Sequence, residues 1–145
     1  MKRFFVITMA MFLLLASNVF AQGSNAILGK WYTEGGKAQV EIYKCGDVYC
    51  GKIIWLKEPK NENGTDKMDI HNPDPSKKRN PVIGLNIVHS FKYRGNNKWA
   101  DGKIYDPDNG KTYSCKMKLE GNELKVRGFI GISLLGRTTV WTRKS

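Results

Sequence analysis

Segment 112–119 alternates residue by residue, with Tyr113, Cys115, Met117 and Leu119 on one side and Thr112, Ser114, Lys116 and Lys118 on the other. A period of two sends successive side chains to opposite faces of an extended chain, so this stretch reads as a strand between a core and water. The pattern recurs through the chain. Segment 29–34 reads as a first strand ended by Gly35-Gly36, and 38–45 as a second with Ala38, Val40 and Ile42 on one face. Segment 50–56 would turn Gly51, Ile53 and Trp55 inward, and 86–93 would turn Ile87, His89, Phe91 and Tyr93 to one face. Trp99 and 103–105 form a short strand or two, 106–111 a hairpin turn, and 123–130 and 137–143 the last strands. Between them 57–85, rich in Pro, Asn, Asp and Lys, reads as one long loop. No long helical pattern follows residue 21. The fold class is therefore all-β, with about eight to nine short antiparallel strands. An up-and-down barrel leaves no exposed edge, and a two-sheet sandwich is its main competitor.

Residues 1–21 stand apart. Lys2 and Arg3 precede an apolar run, 4–16, interrupted only by Thr8, and Val19 and Ala21 suit the −3 and −1 positions of a cleavage site before Gln22. The run is too short for a membrane span and reads as a signal peptide. The expectation is a single domain, 22–145, exported to the periplasm or secreted, with no transmembrane segment in the mature chain. Losing Lys2 and Arg3 takes the formal charge from +11 to +9. For an exported basic protein the anionic neighbours are lipid headgroups, envelope polysaccharide or an acidic ligand, and nucleic acid is not expected.

Export bears on "CGDVYC". In an oxidising compartment Cys45 and Cys50 are expected to pair. A zinc site would need a second pair of ligands, and a thioredoxin-like motif has two intervening residues before a helix. A four-residue loop, 46–49, would set the two Cys opposite each other; a two-residue loop at Gly46-Asp47 would leave Cys50 diagonal and too far. Such a small ring contributes roughly 2 kcal/mol. Cys115 is the odd thiol, placed by its strand pattern as a small buried hydrophobe.

Gly29-Lys30-Trp31 resembles the G-x-W of the lipocalin-like (calycin) superfamily, and Arg143, two residues past Trp141, resembles the arginine that packs on that tryptophan. Closing a barrel would bring Trp31 and Arg143 together. A second resemblance spans almost all of residues 22–145. Gly29-x-Trp31, "CGDVYCGKIIWL", "DIHNPDPSKKRNPVIGL", "GKIYDPDNGKTY", "LKVRG" and "TVWTR" are similar to a bacterial exported family known as domain of unknown function 2147. That resemblance implies a lipocalin-like barrel and an extracytoplasmic location, and no established activity. Cys115 departs from the pattern, so no role carries over to it.

"DIHNPDP" invites a metal reading through Asp69, His71, Asn72 and Asp74, but Asn-Pro and Asp-Pro form turns, and capping or pairing with Arg79 explains the acids as well. No metal and no cofactor is expected. "YDPDNGKTY" fails the EF-hand pattern, with Gly110 at position five and Met117 at twelve, and suits a hairpin. Catalytic motifs are lacking, so no catalytic residue is assigned. A hollow barrel would draw its ligand site from Trp55, His89, Phe91 and Tyr113, with His89 as the polar group; the same aromatics would also serve a filled core. The apolar connector 129–136 can plug a barrel end, line a mouth or touch a membrane, and plugging is the plain expectation. The leading function is an extracytoplasmic binding protein for a small apolar or amphipathic ligand, such as an anionic lipid or fatty acid, met at its headgroup by rim Lys or Arg. The alternative is an envelope-interaction module with a filled core that binds an anionic surface or protein partner. An enzyme comes third.

Overall fold

The computed structural model describes residues 23–145, so the expected signal peptide, 1–21, lies outside the described residues. Eight strands follow in order: β1 Gly29–Tyr32, β2 Ala38–Cys45, β3 Val48–Leu56, β4 Asn86–Tyr93, β5 Lys98–Asp106, β6 Lys111–Glu120, β7 Glu123–Phe129 and β8 Arg137–Arg143. Each pairs antiparallel with its chain neighbour, and β8 returns to β1, giving a closed barrel rather than a sandwich. The segments expected at Trp99 and 103–105 are one continuous strand, β5, and the first strand stops at Tyr32, before a 3-10 turn over Glu34–Gly36.

Closure leaves a narrow seam, because β1 and β8 share only the pairs Trp31↔Arg143 and Tyr32↔Thr142. The Arg143 guanidinium carbon lies 4.2 Å from the centroid of the Trp31 ring. Its Nη1 donates to the Leu28 carbonyl at 3.2 Å and its Nη2 to the Ala26 carbonyl at 2.6 Å. Ala26 lies within, and Leu28 just after, a 3-10 turn, Ser24–Ile27, that crosses this end of the barrel. Trp31 Nε1 donates to Ile27 O at 2.9 Å, Trp99 Nε1 to Ser24 O at 3.3 Å, and the Tyr49 hydroxyl to Asn25 Oδ1 at 3.1 Å. Inside the turn sit Trp31, Phe91, Trp99, Leu119 and Leu124, all fully buried. This end is solid.

Alternation holds along β6 and β7 and breaks elsewhere. Gln39 faces Trp55 while Val40 faces Ile53, so Ile54 is an extra residue that reverses the faces beyond it. Trp55, expected inside, is therefore 39% exposed and meets Tyr32 edge-on, with centroids 6.2 Å apart. In β4, Ser90 adopts φ 61°, and β4 gains a residue on β3 between Val88 and Phe91. Ile87, Val88 and Phe91 are buried, whereas His89 lies opposite the exposed Lys103 on the outer face. Asp101, at φ 63°, makes the matching bulge in β5 against β6. Next to it, Gly102 has no side chain because the Phe91 ring fills that space; a methyl there would overlap the ring.

Cys45 and Cys50 are bonded, with Cα atoms 5.9 Å apart. The expected four-residue loop does not form. The turn is Gly46-Asp47, with Cys45 opposite Val48 and Cys50 opposite Tyr43. The bridge is therefore diagonal, and the strong right-handed twist of a two-residue hairpin brings that diagonal within reach. Connector 129–136 does not plug the barrel either: Ile130, Ile132, Leu134 and Leu135 are exposed.

Replacing Arg143 with Ala removes the stack and two charged hydrogen bonds to carbonyls at the seam. Urea unfolding should show a loss of about 2–3 kcal/mol, with Arg143→Lys recovering part of it. Coincident unfolding curves for Arg143→Ala and wild type would mean that the seam does not depend on this residue.

Candidate functional site

The β1–β2, β3–β4, β5–β6 and β7–β8 connections gather at the end opposite the Ser24–Ile27 turn. Here the barrel is open. A cavity of about 1050 Å³ opens between these connections and reaches down to Val40, Ile53, Ile104, Val126 and Trp141. The Tyr105 and Tyr113 side chains also line it. The mouth carries Lys37, Lys57, Lys67 and Arg137, but also Glu34, Glu58, Asp106 and Asp108. The rim is thus of mixed sign rather than basic, and Arg137 already pairs with Glu34 at 3.5 Å.

The long loop 57–85 forms a strap across this end. It leaves and re-enters the sheet through Gly84 N–H to Ile53 O at 2.7 Å and Ile53 N–H to Leu85 O at 3.0 Å. It doubles back through a bridge between Met68 and Pro81, and Val82 drops into the core. Its far side is fixed by Asp69, which is fully buried. The Tyr105 hydroxyl donates to Asp69 Oδ1 at 2.6 Å and Asn72 Nδ2 to Oδ2 at 2.7 Å. Burial, and then the Asp69 hydrogen bond and charge, push the Tyr105 phenol up to about 12, so it remains a donor. The strap also rests on the β5–β6 hairpin. Gly110, at φ 72°, lies directly under the His71 carbonyl, where a methyl would collide.

These contacts account for "DIHNPDP". Asp74 Oδ1 accepts from the Ser76 hydroxyl at 2.7 Å and from the Ser76 N–H at 3.0 Å, which together hold its carboxyl below the usual range. Neither Asp69 nor Asp74 pairs with Arg79. Among the described residues no three His, Cys, Asp or Glu side chains gather as a metal set. In "YDPDNG", Asp106 Oδ1 accepts from Asp108 N–H at 2.9 Å inside the hairpin.

Of the four aromatic or polar residues expected around a ligand, only Tyr113 lines the cavity, its hydroxyl accepting from Asn109 Nδ2 at 2.8 Å. Phe91 packs on Gly102 in the solid part of the core, and Trp55 is outside. His89 borders a separate outer groove of about 680 Å³ beneath the strap, with Asp74, Lys77 and Thr112. Sequence reasoning missed Tyr105 and Asp69, whose contact spans 36 residues and has no local signature. Cys115 is 2% exposed, and burial pushes its thiol up to about 12, so it is not a nucleophile at neutral pH.

A closed eight-stranded antiparallel barrel, capped at one end by an N-terminal 3-10 turn and open at the other, is a lipocalin-like fold. The solved structure of protein HP1028 from the human pathogen Helicobacter pylori, described as belonging to the lipocalin family, superimposes with a TM-score of 0.71 at 22% identity, over 81% of this chain and 82% of that one. The chain belongs to the bacterial family described as "Uncharacterized protein conserved in bacteria (DUF2147)", whose model matches residues 29–143. No curated protein matches it in sequence.

Two outcomes follow from these side chains. The Tyr105 phenol titrates above its ordinary 10, so its stabilisation is complete below pH 10 and fades as pH rises towards 12. Tyr105→Phe should cost about 1–3 kcal/mol at neutral pH, a difference that shrinks through that window, and should remove the last-titrating phenolate absorbance. If wild type and variant keep a constant gap to pH 12, the hydroxyl is not held by Asp69. Separately, thiol titration of the unreduced protein should find no reactive thiol when native and one, Cys115, when denatured. Three thiols on denaturation would disprove the disulfide.

Proposed function

We propose that this protein is an extracytoplasmic binding protein for a small apolar or amphipathic ligand held in the open half of the barrel. The observation that carries the reading is the cavity of about 1050 Å³, just above the usual range for small-molecule sites, with an aliphatic and aromatic floor and a polar, charged mouth. A filled-core interaction module has no use for such a void. The acyl or ring portion of the ligand lies against Ile53, Ile104, Val126 and Trp141, and its polar end meets the Tyr113 and Tyr105 side chains and the rim. Lys37, Lys57 and Lys67 supply cations for an anionic headgroup, and a rim of mixed sign suits a polar or zwitterionic one too. Export is part of the proposal. It is supported by the signal-like residues 1–21, and the Cys45–Cys50 bond and the bacterial family are compatible with it.

A fluorescent fatty-acid probe should bind saturably to residues 22–145 at about one per barrel. Thr139→Trp, which puts a bulky ring into the cavity wall, should abolish uptake, whereas His89→Trp, outside the barrel, should leave it unchanged. No saturable uptake by wild type, or uptake untouched by Thr139→Trp, would remove the cavity from consideration.

A further inference from the structure

Connector 129–136 has a specific build. Leu134 and Leu135 are 84% and 78% exposed, and Ile130 and Ile132 stand out beside them. The polar atoms of the connector are turned the other way. Arg127 Nε donates to Ser133 O at 2.7 Å, its Nη2 to Leu134 O at 3.4 Å and its Nη1 to Thr138 Oγ1 at 2.9 Å. Lys116 Nζ reaches Ser133 Oγ at 3.2 Å. The connector is thus tied to the barrel through its polar groups and presents four large aliphatic side chains to the outside, the signature of a contact surface.

Behind this tip, the outer faces of β5, β6 and β7 carry cations in register. Lys98 lies opposite Lys118, Lys118 opposite Lys125, and Lys116 opposite Arg127. Like charges directly opposed destabilise a sheet. Glu120 and Glu123 offset the row nearest the capped end, at 3.3 Å from Lys118 and 3.1 Å from Lys125. Nearer the tip, Lys103, Lys116 and Arg127 have no carboxylate within ion-pair distance among the described residues.

We infer that the open end of the barrel docks on an anionic lipid bilayer, with Ile130, Ile132, Leu134 and Leu135 entering the boundary between headgroups and acyl chains and Lys103 and Lys116 engaging lipid phosphates. An aliphatic tip next to uncompensated cations matches a surface that is apolar beneath and anionic above. A polysaccharide offers no apolar layer, and a second copy meeting tip to tip would bring the same cations together. Arg137, which ends the connector, lines the cavity mouth and pairs with Glu34 of the β1–β2 turn. Docking by the tip therefore sets the mouth against the lipid. The inference does not depend on the cavity being filled, because vesicle binding and probe uptake are read separately.

The test is co-sedimentation of residues 22–145, which contain the whole closed barrel, with phosphatidylcholine–phosphatidylglycerol vesicles. Binding should be about tenfold stronger than to phosphatidylcholine alone and should weaken with added salt. Leu134→Ser with Leu135→Ser should reduce it about tenfold or more. Lys103→Gln with Lys116→Gln should remove most of the preference for the anionic vesicle. A tryptophan placed by Leu134→Trp should shift its emission to the blue on vesicles, and unchanged near-UV circular dichroism will show that each variant is folded. The inference is overturned if wild type binds neither vesicle, if it binds both equally, or if the leucine substitutions leave binding intact. A concentration-dependent dimer that those substitutions abolish, without vesicle binding, would assign the tip to a second copy instead.

Discussion

The guanidinium of Arg143 ties together three parts of the chain that nothing else joins so directly. It belongs to the last strand, stacks on Trp31 of the first, and donates to carbonyls of the turn that caps the end. The seam it covers has two residue pairs, against eight along β2–β3. A barrel with an open seam would present two unpaired edges and let water into the tryptophan layer. Stacking over an aromatic face together with charge-assisted bonds to carbonyls is something guanidinium does and ammonium does poorly. The open end of the barrel stands on an end that is packed and shut.

That division also explains the strap. An open barrel end exposes backbone and apolar wall to water, and the loop 57–85 covers part of it with its own turns. Its anchor is a buried carboxylate with two neutral donors, Tyr105 and Asn72, rather than an ion pair. Such an anchor is directional, and it fixes the strap to the one hairpin whose glycine lets the His71 carbonyl approach.

Much of the architecture was legible because alternation is a local property. β6 and β7 keep a period of two over their length, and G-x-W with a terminal arginine pointed to the seam. What misled was parity. A single extra residue at Ile54, Ser90 or Asp101 exchanges the two faces of everything beyond it, and nothing in composition marks it; Ser90 and Asp101 adopt positive φ without being glycine. Trp55 and His89 therefore went to the wrong side, while Tyr113, on an unbulged strand, went to the cavity. The disulfide was readable from its surroundings but not its geometry, since hairpin twist, not register alone, decides which diagonal pairs meet. The capping turn, too short to carry a pattern, and the Asp69–Tyr105 contact, distant in sequence, left no local trace.

The position of the one bonded pair has a bearing on how the chain acquires its covalent form. Three thiols allow three pairings, and two of them would trap Cys115 outside the core it needs to fill. Cys45 and Cys50 are five residues apart, while either is more than tenfold further from Cys115 along the chain. Loop closure alone favours the short ring over the long ones by about 2 kcal/mol. Once β6 docks, the remaining thiol is sealed beneath the sheet and raised to about 12. An odd cysteine, ordinarily a hazard when disulfides form, is here kept harmless first by distance and then by burial.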